Sequence, residues 1–305
     1  ARIVADNMVF GNKIPYEGAI GTSIAKVFDM TVAASGLPAK RLKQAGIDYL
    51  SATIHSGSHA GYYPDALQMS IKITFSPADG KLLGAQIVGY SGVDKRIDEF
   101  SQVIKHSGTV YDLMALEQAY APPFSSAKDP VAVTGYVAGN ILNGKMQPLY
   151  WRELQAADWS KVTLVDVRTP DEFALGALKG AVNIPLDDMR DRMKEIPRDK
   201  PVYLYCGVGL RGYLASNILL QNGYQEVKNL IGGLKLYKAA TTPLPEPKEF
   251  SNSGSSSSDS SKVDHSEHSK DSAEAYTIAS SVIPSMRAIK VDACGISCPG
   301  PIMKL

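Results

Sequence analysis

Cysteine is scarce in this sequence. Only three cysteines occur in 305 residues, at positions 206, 294 and 298, too few and too unevenly spaced for the disulfide framework of a small secreted domain. Long apolar runs are also missing, because no stretch approaches the roughly 18 residues of a membrane-spanning helix, and no signal peptide is visible. We therefore expect reactive thiols in a cytoplasmic protein without a membrane partner.

Neither sign of charge is in excess. Thirty-two Lys and Arg residues balance 31 Asp and Glu residues, for a net charge of +1. The basic residues are scattered, so the sequence has no electrostatic footprint for nucleic acid or an anionic membrane. Of five histidines, His265 and His268 lie in a polar stretch, where such side chains are usually solvated. No metal site is expected.

The stretch 202–212 combines a strand pattern, a cysteine and a glycine-rich turn. Apolar and aromatic residues run up to Cys206, glycines follow at 207, 209 and 212, and the pattern after Arg211 is helical. A strand that passes to a helix through such a turn forms an anion cradle, because the N–H groups of the turn point inward and the helix start is partly positive. This environment favours the thiolate form of a cysteine. The predicted cradle consists of Gly207, Val208, Gly209 and Leu210.

Residues 1–145 show the pattern of an α+β domain. A hairpin is predicted around the Asp79-Gly80 turn, whose residue types suit a tight connection between strands. The order of elements predicts an antiparallel sheet with helices on one side. The strands are predicted at 25–34, 48–55, 67–75 and 81–88, and the helices at 1–10, 38–45, 94–106 and 131–142.

Two loops of this region, 59–64 and 120–130, combine tyrosine with proline. In one interpretation the tyrosines only pack and the prolines only shape turns. A second interpretation, in which the loops are functional, comes from a resemblance to a known family. Together with the stretch 21–33, the loops resemble three motifs, in the same order, of the C-terminal dimerisation domain of the flavin-dependent pyridine nucleotide–disulfide oxidoreductases. The similarity is to the coenzyme A-disulfide reductase and NADH oxidase branch of that family.

The resemblance implies a homodimer formed through residues 19–147, with residues 1–18 as the tail of an FAD- and NAD-binding domain. It implies that Tyr62 or Tyr63, and Tyr120, lie near a disulfide substrate, where a phenol can donate a hydrogen bond to a leaving thiolate. The parent protein is expected to use FAD and NAD(P)H. The family's glycine-rich fingerprints and redox cysteine are expected upstream of position 1, so this fragment is not expected to bind either cofactor stably.

Residues 148–240 alternate strand and helix patterns. This order predicts an α/β domain with a central parallel sheet and a ligand site at the C-terminal strand ends, where Cys206 lies. Asp166 and Arg168 are interpreted as a structural ion pair at a strand end. The segment resembles the rhodanese domain over its whole length. The resemblance rests on 166–168, 171–173, 180–185, 206–211 and 232–234.

The rhodanese resemblance implies that Cys206 carries sulfane sulfur as a persulfide and that Arg211 anchors the loop or adds positive charge. Phosphatases of the same fold have a histidine before the cysteine and five residues between cysteine and arginine. Here Tyr205 precedes the cysteine and four residues intervene, so the smaller loop suits a sulfur atom. A buried inert thiol is the remaining alternative, and it would not need the glycines or Arg211.

Residues 241–284 are rich in serine, proline and charge, and they predict a disordered, flexible linker. In residues 285–305 a strand pattern leads to Cys294 and to Cys298, which Pro299 follows. Cysteine and proline at a helix start favour the thiolate. The segment resembles the opening of the TusA/SirA-like sulfur-carrier domain, which implies a persulfide on Cys298. Only the start of that domain is present, and the chain is interpreted as a fragment.

The combined prediction is part of an FAD- and NAD(P)H-dependent reductase of coenzyme A disulfide or persulfide, fused to a rhodanese sulfurtransferase domain. Its partners would be sulfane-sulfur donors and thiol acceptors such as coenzyme A persulfide. Sulfurtransferase activity is expected in this fragment, whereas reductase activity requires the N-terminal part. The alternative is a non-catalytic, rhodanese-like docking module on a dimerisation platform.

Overall fold

The computed structural model describes residues 1–243. The predictions for the remaining chain, which include Cys294, Cys298, nearly all of the linker and the sulfur-carrier start, lie outside the described residues. Within residues 1–243 no helix is both long and apolar enough to cross a membrane.

The first structural unit is built on a five-stranded antiparallel sheet with the order β1-β2-β5-β4-β3. A short helix, α1 (Arg2–Phe10), precedes it. The antiparallel sheet confirms the predicted α+β class. The strands are β1 (Ser23–Val27), β2 (Met30–Gly36), β3 (Leu50–Gly57), β4 (Gln68–Phe75) and β5 (Leu82–Gly89).

Helices pack on this sheet because their apolar faces need cover. The first long helix lies on β2 and β5, and the last lies on β3 and β4. Phe75 and Phe100 are fully buried in the core between the layers. The helices are α2 (Ala39–Gln44), α3 (Val93–Lys105), α4 (Val110–Ala115) and α5 (Pro130–Leu142).

The prediction of one strand over 25–34 was wrong. The chain turns at Phe28 and Asp29, and Val27 pairs with Met30, so two antiparallel strands replace the single one. Phe28 has a φ of 53°, a left-handed conformation that non-glycine residues seldom adopt. The apolar alternation continues through the turn, which is why the pattern did not reveal it.

The second unit is a five-stranded sheet with the order β6-β10-β9-β7-β8, and every pair in it is parallel. This confirms the predicted α/β class. The strands are β6 (Gln147–Leu149), β7 (Thr163–Asp166), β8 (Val182–Asn183), β9 (Val202–Tyr205) and β10 (Val227–Leu230). The α-helices are α6 (Trp151–Ala156), α7 (Pro170–Ala174), α8 (Met189–Arg192), α9 (Leu210–Gln221) and α10 (Gly233–Thr241).

Three details of this unit differ from the prediction. The helix predicted at 187–195 is a single α-helical turn followed by a 3-10 turn at Met193–Glu195. Helix α9 starts at Leu210, so Leu210 and Arg211 belong to the helix and not to the loop before it. The two-residue strand β8 and the three-residue strand β6 were not predicted, because such short segments carry no readable periodicity.

Side chains of the second unit join the core of the first. Ile231, Tyr150 and Tyr213 pack against the apolar cluster of the antiparallel sheet. The Tyr150 hydroxyl donates to the Ser51 carbonyl at 3.1 Å and accepts from the Ser51 N–H at 3.3 Å. The two sheets are therefore in direct contact through packed and hydrogen-bonded residues.

Candidate active site

Cys206 lies at the C-terminal end of β9, between β7 and β10 in the middle of the parallel sheet. All four residues of β9 are buried, and Cys206 itself is only 1% exposed. Ligands of parallel sheets bind at this edge, outside the C-terminal strand ends. The structure thus places the predicted nucleophile where a parallel sheet offers a site.

Gly209 directs a backbone N–H at the cysteine sulfur. Its nitrogen lies 3.1 Å from Sγ of Cys206, and its φ of 119° is available almost only to glycine. Of the four residues predicted to form the cradle, Gly209 supplies this hydrogen bond. Leu210 is 65% exposed and Val208 is 38% exposed, so their side chains form the outer edge of the loop.

The first turn of α10 holds the cysteine loop from behind. The N–H of Leu234 donates to the carbonyl of Cys206 at 2.8 Å, and the N–H of Lys235 donates to the carbonyl of Gly207 at 3.0 Å. A Cβ atom at Gly233 would lie 2.6 Å from three backbone atoms of this loop. Glycine at 233 is therefore required by the close approach of the two backbones.

Arg211 is fixed by a carboxylate whose role was not predicted from the sequence. Its two terminal nitrogens lie 2.6 and 2.7 Å from the two carboxylate oxygens of Glu172. That pairing, together with the neighbouring thiol of Cys206, raises the pKa of Arg211. The hydrogen bond from the Arg211 guanidinium lowers the pKa of Glu172 to about 2. Arg211 therefore ties α9 to α7 beside the cysteine.

A readable signal for Glu172 did exist in the sequence. Thr169 and Glu172 form a capping box at the start of α7, in which each side chain bonds to the backbone N–H of the other residue. Threonine followed three residues later by glutamate is typical of such a box. The box fixes the position of the Glu172 carboxylate that Arg211 binds.

Asp166 and Arg168 form the predicted ion pair at the end of β7. The two side chains share three hydrogen bonds of 3.0 Å or less, and Asp166 is fully buried. Arg168 also donates to the carbonyl of Gly176 at 3.0 Å. The pair lies at the same sheet edge as Cys206, and the predicted ion pair is thus confirmed.

The tyrosine loops of the first unit meet each other. The hydroxyl oxygens of Tyr62 and Tyr120 lie 3.1 Å apart, and this hydrogen bond raises the pKa of Tyr62. Tyr62 is 77% exposed and Tyr120 is 49% exposed. Tyr63 instead packs edge-on against His59. The structure thus pairs two of the three predicted tyrosines and leaves the third outside the pair.

A buried arginine, Arg96 on α3, supports both tyrosine loops. It bonds to both carboxylate oxygens of Asp129, at 3.1 and 2.8 Å, and to the carbonyl of Ser58 at 2.8 Å. Burial alone would raise the pKa of Asp129, but hydrogen bonds from Arg96, Ser125 and the backbone of Val131 lower it. This pair was not predicted from the sequence.

Two family models match the chain. Residues 22–131 match the pyridine nucleotide-disulphide oxidoreductase dimerisation domain, and residues 150–240 match the rhodanese-like domain. Coenzyme A disulfide reductase of Staphylococcus haemolyticus is 38% identical over 141 residues, which cover 46% of this chain and 32% of that protein. The chain therefore spans about a third of the length of the curated relatives that it matches.

Two solved structures resemble both units together. Reduced CoADR-RHD of Bacillus anthracis is 47% identical with a TM-score of 0.75, over 78% of this chain and 42% of that one. An NAD-dependent persulfide reductase from A. fulgidus is 36% identical with a TM-score of 0.67, over 75% of this chain and 41% of that one. Residues 22–131 are thus a dimerisation domain of the pyridine nucleotide-disulphide oxidoreductase type, and residues 150–240 are a rhodanese-like domain.

Proposed function

We propose that the chain is part of a cytoplasmic FAD- and NAD(P)H-dependent reductase of coenzyme A disulfide or persulfide. In this proposal its rhodanese domain carries sulfane sulfur on Cys206. The observation that supports the sulfur chemistry best is the Gly209 N–H, 3.1 Å from Sγ of Cys206 at a buried strand end. A hydrogen bond of this kind stabilises a thiolate before it attacks and after it leaves.

The proposed transfer has two balanced steps. The Cys206 thiolate attacks the outer sulfur of thiosulfate, the sulfur–sulfur bond of the donor breaks, and sulfite leaves with the electron pair. An acceptor thiolate or cyanide then attacks the sulfane sulfur of the Cys206 persulfide, and the Cys206 thiolate leaves. Arg211, held by Glu172, supplies positive charge beside the loop in both steps.

The reductase half of the proposal concerns the whole protein. The tyrosine pair of Tyr62 and Tyr120 would donate a hydrogen bond to a thiolate that leaves a disulfide or persulfide substrate. Tyr63, which packs against His59, stays the alternative to Tyr62. Residues 19–147 would form the homodimer that the dimerisation-domain match implies. The exposed position of both phenols suits a role toward a second subunit or a substrate.

The glycine-rich turn at 207–212 does not fit a dinucleotide cofactor. The turn at 207–212 has the G-x-G-x-x-G spacing of a dinucleotide-binding turn. Its Gly209 N–H, however, points to the sulfur of Cys206, and its Arg211 is bound by Glu172. In this proposal the turn is a sulfur cradle, and no step of the proposed transfer involves flavin or nicotinamide.

A docking module without catalysis is the second candidate, and one observation favours it. Cys206 is 1% exposed, whereas the side chains of Val208 and Leu210 around it are exposed and apolar. Such an edge could bind a partner protein. The two candidates differ in whether Cys206 gains a sulfur atom.

Replacement of Cys206 tests the proposal. We expect the Cys206→Ser variant to lose thiocyanate formation from thiosulfate and cyanide, because the attacking sulfur is missing. Cys298→Ser is the matched control and should retain the activity. Mass spectrometry of the Cys206 peptide should show one added sulfur atom after incubation with thiosulfate. Unchanged thiocyanate formation in Cys206→Ser, or an unmodified peptide, would refute the sulfurtransferase proposal.

The roles beyond residue 243 stay predictions from sequence. Cys298 is proposed as a second sulfur carrier that takes sulfur from Cys206 in a relay. The proposed segment limits are 1–18, 19–147, 148–240, 241–284 and 285–305.

A further inference from the structure

Gly209 has a backbone conformation that must be held in place. Its φ of 119° and ψ of −27° lie in a region that is accessible almost only to glycine, and glycine is also the residue that leaves this region most easily. The N–H of Gly209 reaches Sγ of Cys206 only while this conformation persists. Another group should therefore fix the residue from its carbonyl side.

Asn229 of β10 is placed to do this. Its Nδ2 donates to the carbonyl of Gly209 at 3.0 Å, and the residue is only 2% exposed. The same Nδ2 lies 3.3 Å from Sδ of Met146, whose side chain belongs to the core of the dimerisation domain. The amide is thus anchored on one side by the first unit and bonded to the cysteine loop on the other.

The start of α9 is fitted closely around this amide. A Cβ atom at Gly212 would lie 2.1 Å from Oδ1 of Asn229, so any side chain at position 212 would collide with the amide. Asn229 sits on the strand next to Cys206, since it pairs with Leu204 of β9. Its position relative to the loop is therefore set by the sheet itself.

We propose that Asn229 is a positioning residue for sulfur transfer: it holds the Gly209 carbonyl so that the Gly209 N–H stays directed at the cysteine sulfur. This inference rests on the proposed function. The N–H stabilises the Cys206 thiolate as it leaves the persulfide, so Asn229 governs the second step, in which the acceptor takes the sulfane sulfur. It does not contact the acceptor.

The test measures that second step in the full chain. The protein is loaded with thiosulfate, the persulfide on the Cys206 peptide is counted by mass spectrometry, and thiocyanate release after rapid mixing with cyanide is expressed per loaded site. Because only folded, loaded molecules are counted, a loss of folded protein does not lower the measured rate. The variant is Asn229→Asp, which keeps the size of the side chain but faces the Gly209 carbonyl with an oxygen.

We expect Asn229→Asp to slow sulfur transfer by about tenfold or more. Removing one aligned donor to a developing anion costs about 100- to 1000-fold, and here the N–H is displaced but not removed. The cyanide concentration at half-maximal rate should change less than about twofold, because Asn229 does not touch the acceptor. Asn217→Asp is the matched control. Nδ2 of Asn217 also donates to a backbone carbonyl, that of Tyr213 at 2.9 Å, but this bond lies within α9. It should transfer sulfur at the wild-type rate.

A double-mutant cycle checks the route of the effect. An alanine in place of Gly209 cannot adopt a φ of 119° without strain. In Gly209→Ala the N–H of residue 209 is therefore already displaced from Sγ of Cys206. Asn229→Asp should then add little to Gly209→Ala, whereas independent sites would multiply their effects. Should Asn229→Asp not fold, Asn229→Ser replaces it, because its shorter side chain cannot reach the carbonyl.

The possible results separate the hypotheses. A transfer rate per loaded site within about twofold of wild type, or multiplicative effects in the cycle, would overturn the role of Asn229. A wild-type protein that gains no persulfide refutes the proposed function itself, and the inference falls with it. A slower transfer with unchanged half-maximal cyanide and a non-multiplicative cycle supports the positioning role.

Discussion

At the scale of single residues, one carboxylate orients the arginine next to the Cys206 loop. Glu172 binds both terminal nitrogens of Arg211 and also closes the capping box of α7. The guanidinium is thereby oriented in a plane, which a lysine could not reproduce with its single ammonium group. Glu172 joins the cap of one helix to the first turn of another, at the edge where the cysteine lies.

The Arg211–Glu172 pair predicts a pH-dependent difference in stability between the wild type and Glu172→Gln. The pKa of Glu172 is lowered from 4.5 to about 2. The contribution of the ion pair to the free energy of unfolding is therefore complete above pH 4.5 and is lost as the pH falls toward 2. Because the side chains of Arg211 and Glu172 are 33% and 37% exposed, we expect the difference in unfolding free energy to be about 1 kcal/mol or less. Urea unfolding at several pH values measures it.

The neighbour Asp171 provides the control for this prediction. Its side chain forms no ion pair within residues 1–243, so Asp171→Asn removes one charge from the same helix turn without touching Arg211. Its unfolding free energy should track that of the wild type across this pH range. A Glu172→Gln protein with the same difference at pH 3 and pH 7 would contradict the assigned cause.

At the scale of elements, the long periodic segments could be predicted from the sequence. Features that depend on a single turn or a single contact could not. Both sheets, the long helices and the cysteine at the end of its strand follow from alternation, turn residues and glycine spacing. The turn at Phe28 could not be predicted, because phenylalanine seldom adopts a left-handed φ and the apolar pattern continues through the turn. The pairing of Tyr62 with Tyr120 joins residues 58 positions apart, which local patterns do not report.

The support of the two tyrosine loops gives an element-scale prediction. Arg96 is completely buried and bonds to Asp129 and to the carbonyls of Ser58 and Gly92. Arg96→Met should lower the free energy of unfolding by about 3–5 kcal/mol, because it leaves the Asp129 charge buried without its partner. Urea denaturation of the purified protein measures the loss.

The residue next to Arg96 supplies the matched control. Lys95 on the same helix pairs with Glu99 at 3.9 Å, and its side chain is 38% exposed. Lys95→Met should cost about 1 kcal/mol or less, since solvent screens such a pair. Equal losses in the two variants would mean that Arg96 does not hold the loops in the way its contacts indicate.

At the scale of the whole molecule, the two units meet at a cluster of basic groups. His55 of β3 lies next to Lys235 of α10, whose side chain also bonds to Gln68 at the start of β4. Nδ1 of His55 lies 2.8 Å from the hydroxyl of Ser70. Lys235 donates its backbone N–H to the carbonyl of Gly207, so the contact between the units reaches the cysteine loop directly.

This contact predicts a loss of stability on mild acidification. Burial, with the nearby ammonium of Lys235, lowers the pKa of His55 from 6.5 to about 4. Between these values the unfolded chain binds a proton at His55 that the folded protein does not, so stability falls as the pH drops from 6.5 to 4. The loss amounts to about 3 kcal/mol at most. Urea unfolding from pH 7 to pH 4 follows it.

Three variants separate the His55 contribution from general acid effects. His55→Asn should flatten the pH dependence in this window, whereas His106→Asn, at the exposed end of α3, should leave the wild-type curve. Lys235→Met removes the neighbouring ammonium, which raises the pKa of His55 in the folded protein. The stability loss between pH 6.5 and 4 should therefore be smaller than in the wild type but larger than in His55→Asn. If His55→Asn and the wild type lose stability equally between pH 6.5 and 4, the histidine at the contact between the units does not titrate as its burial requires.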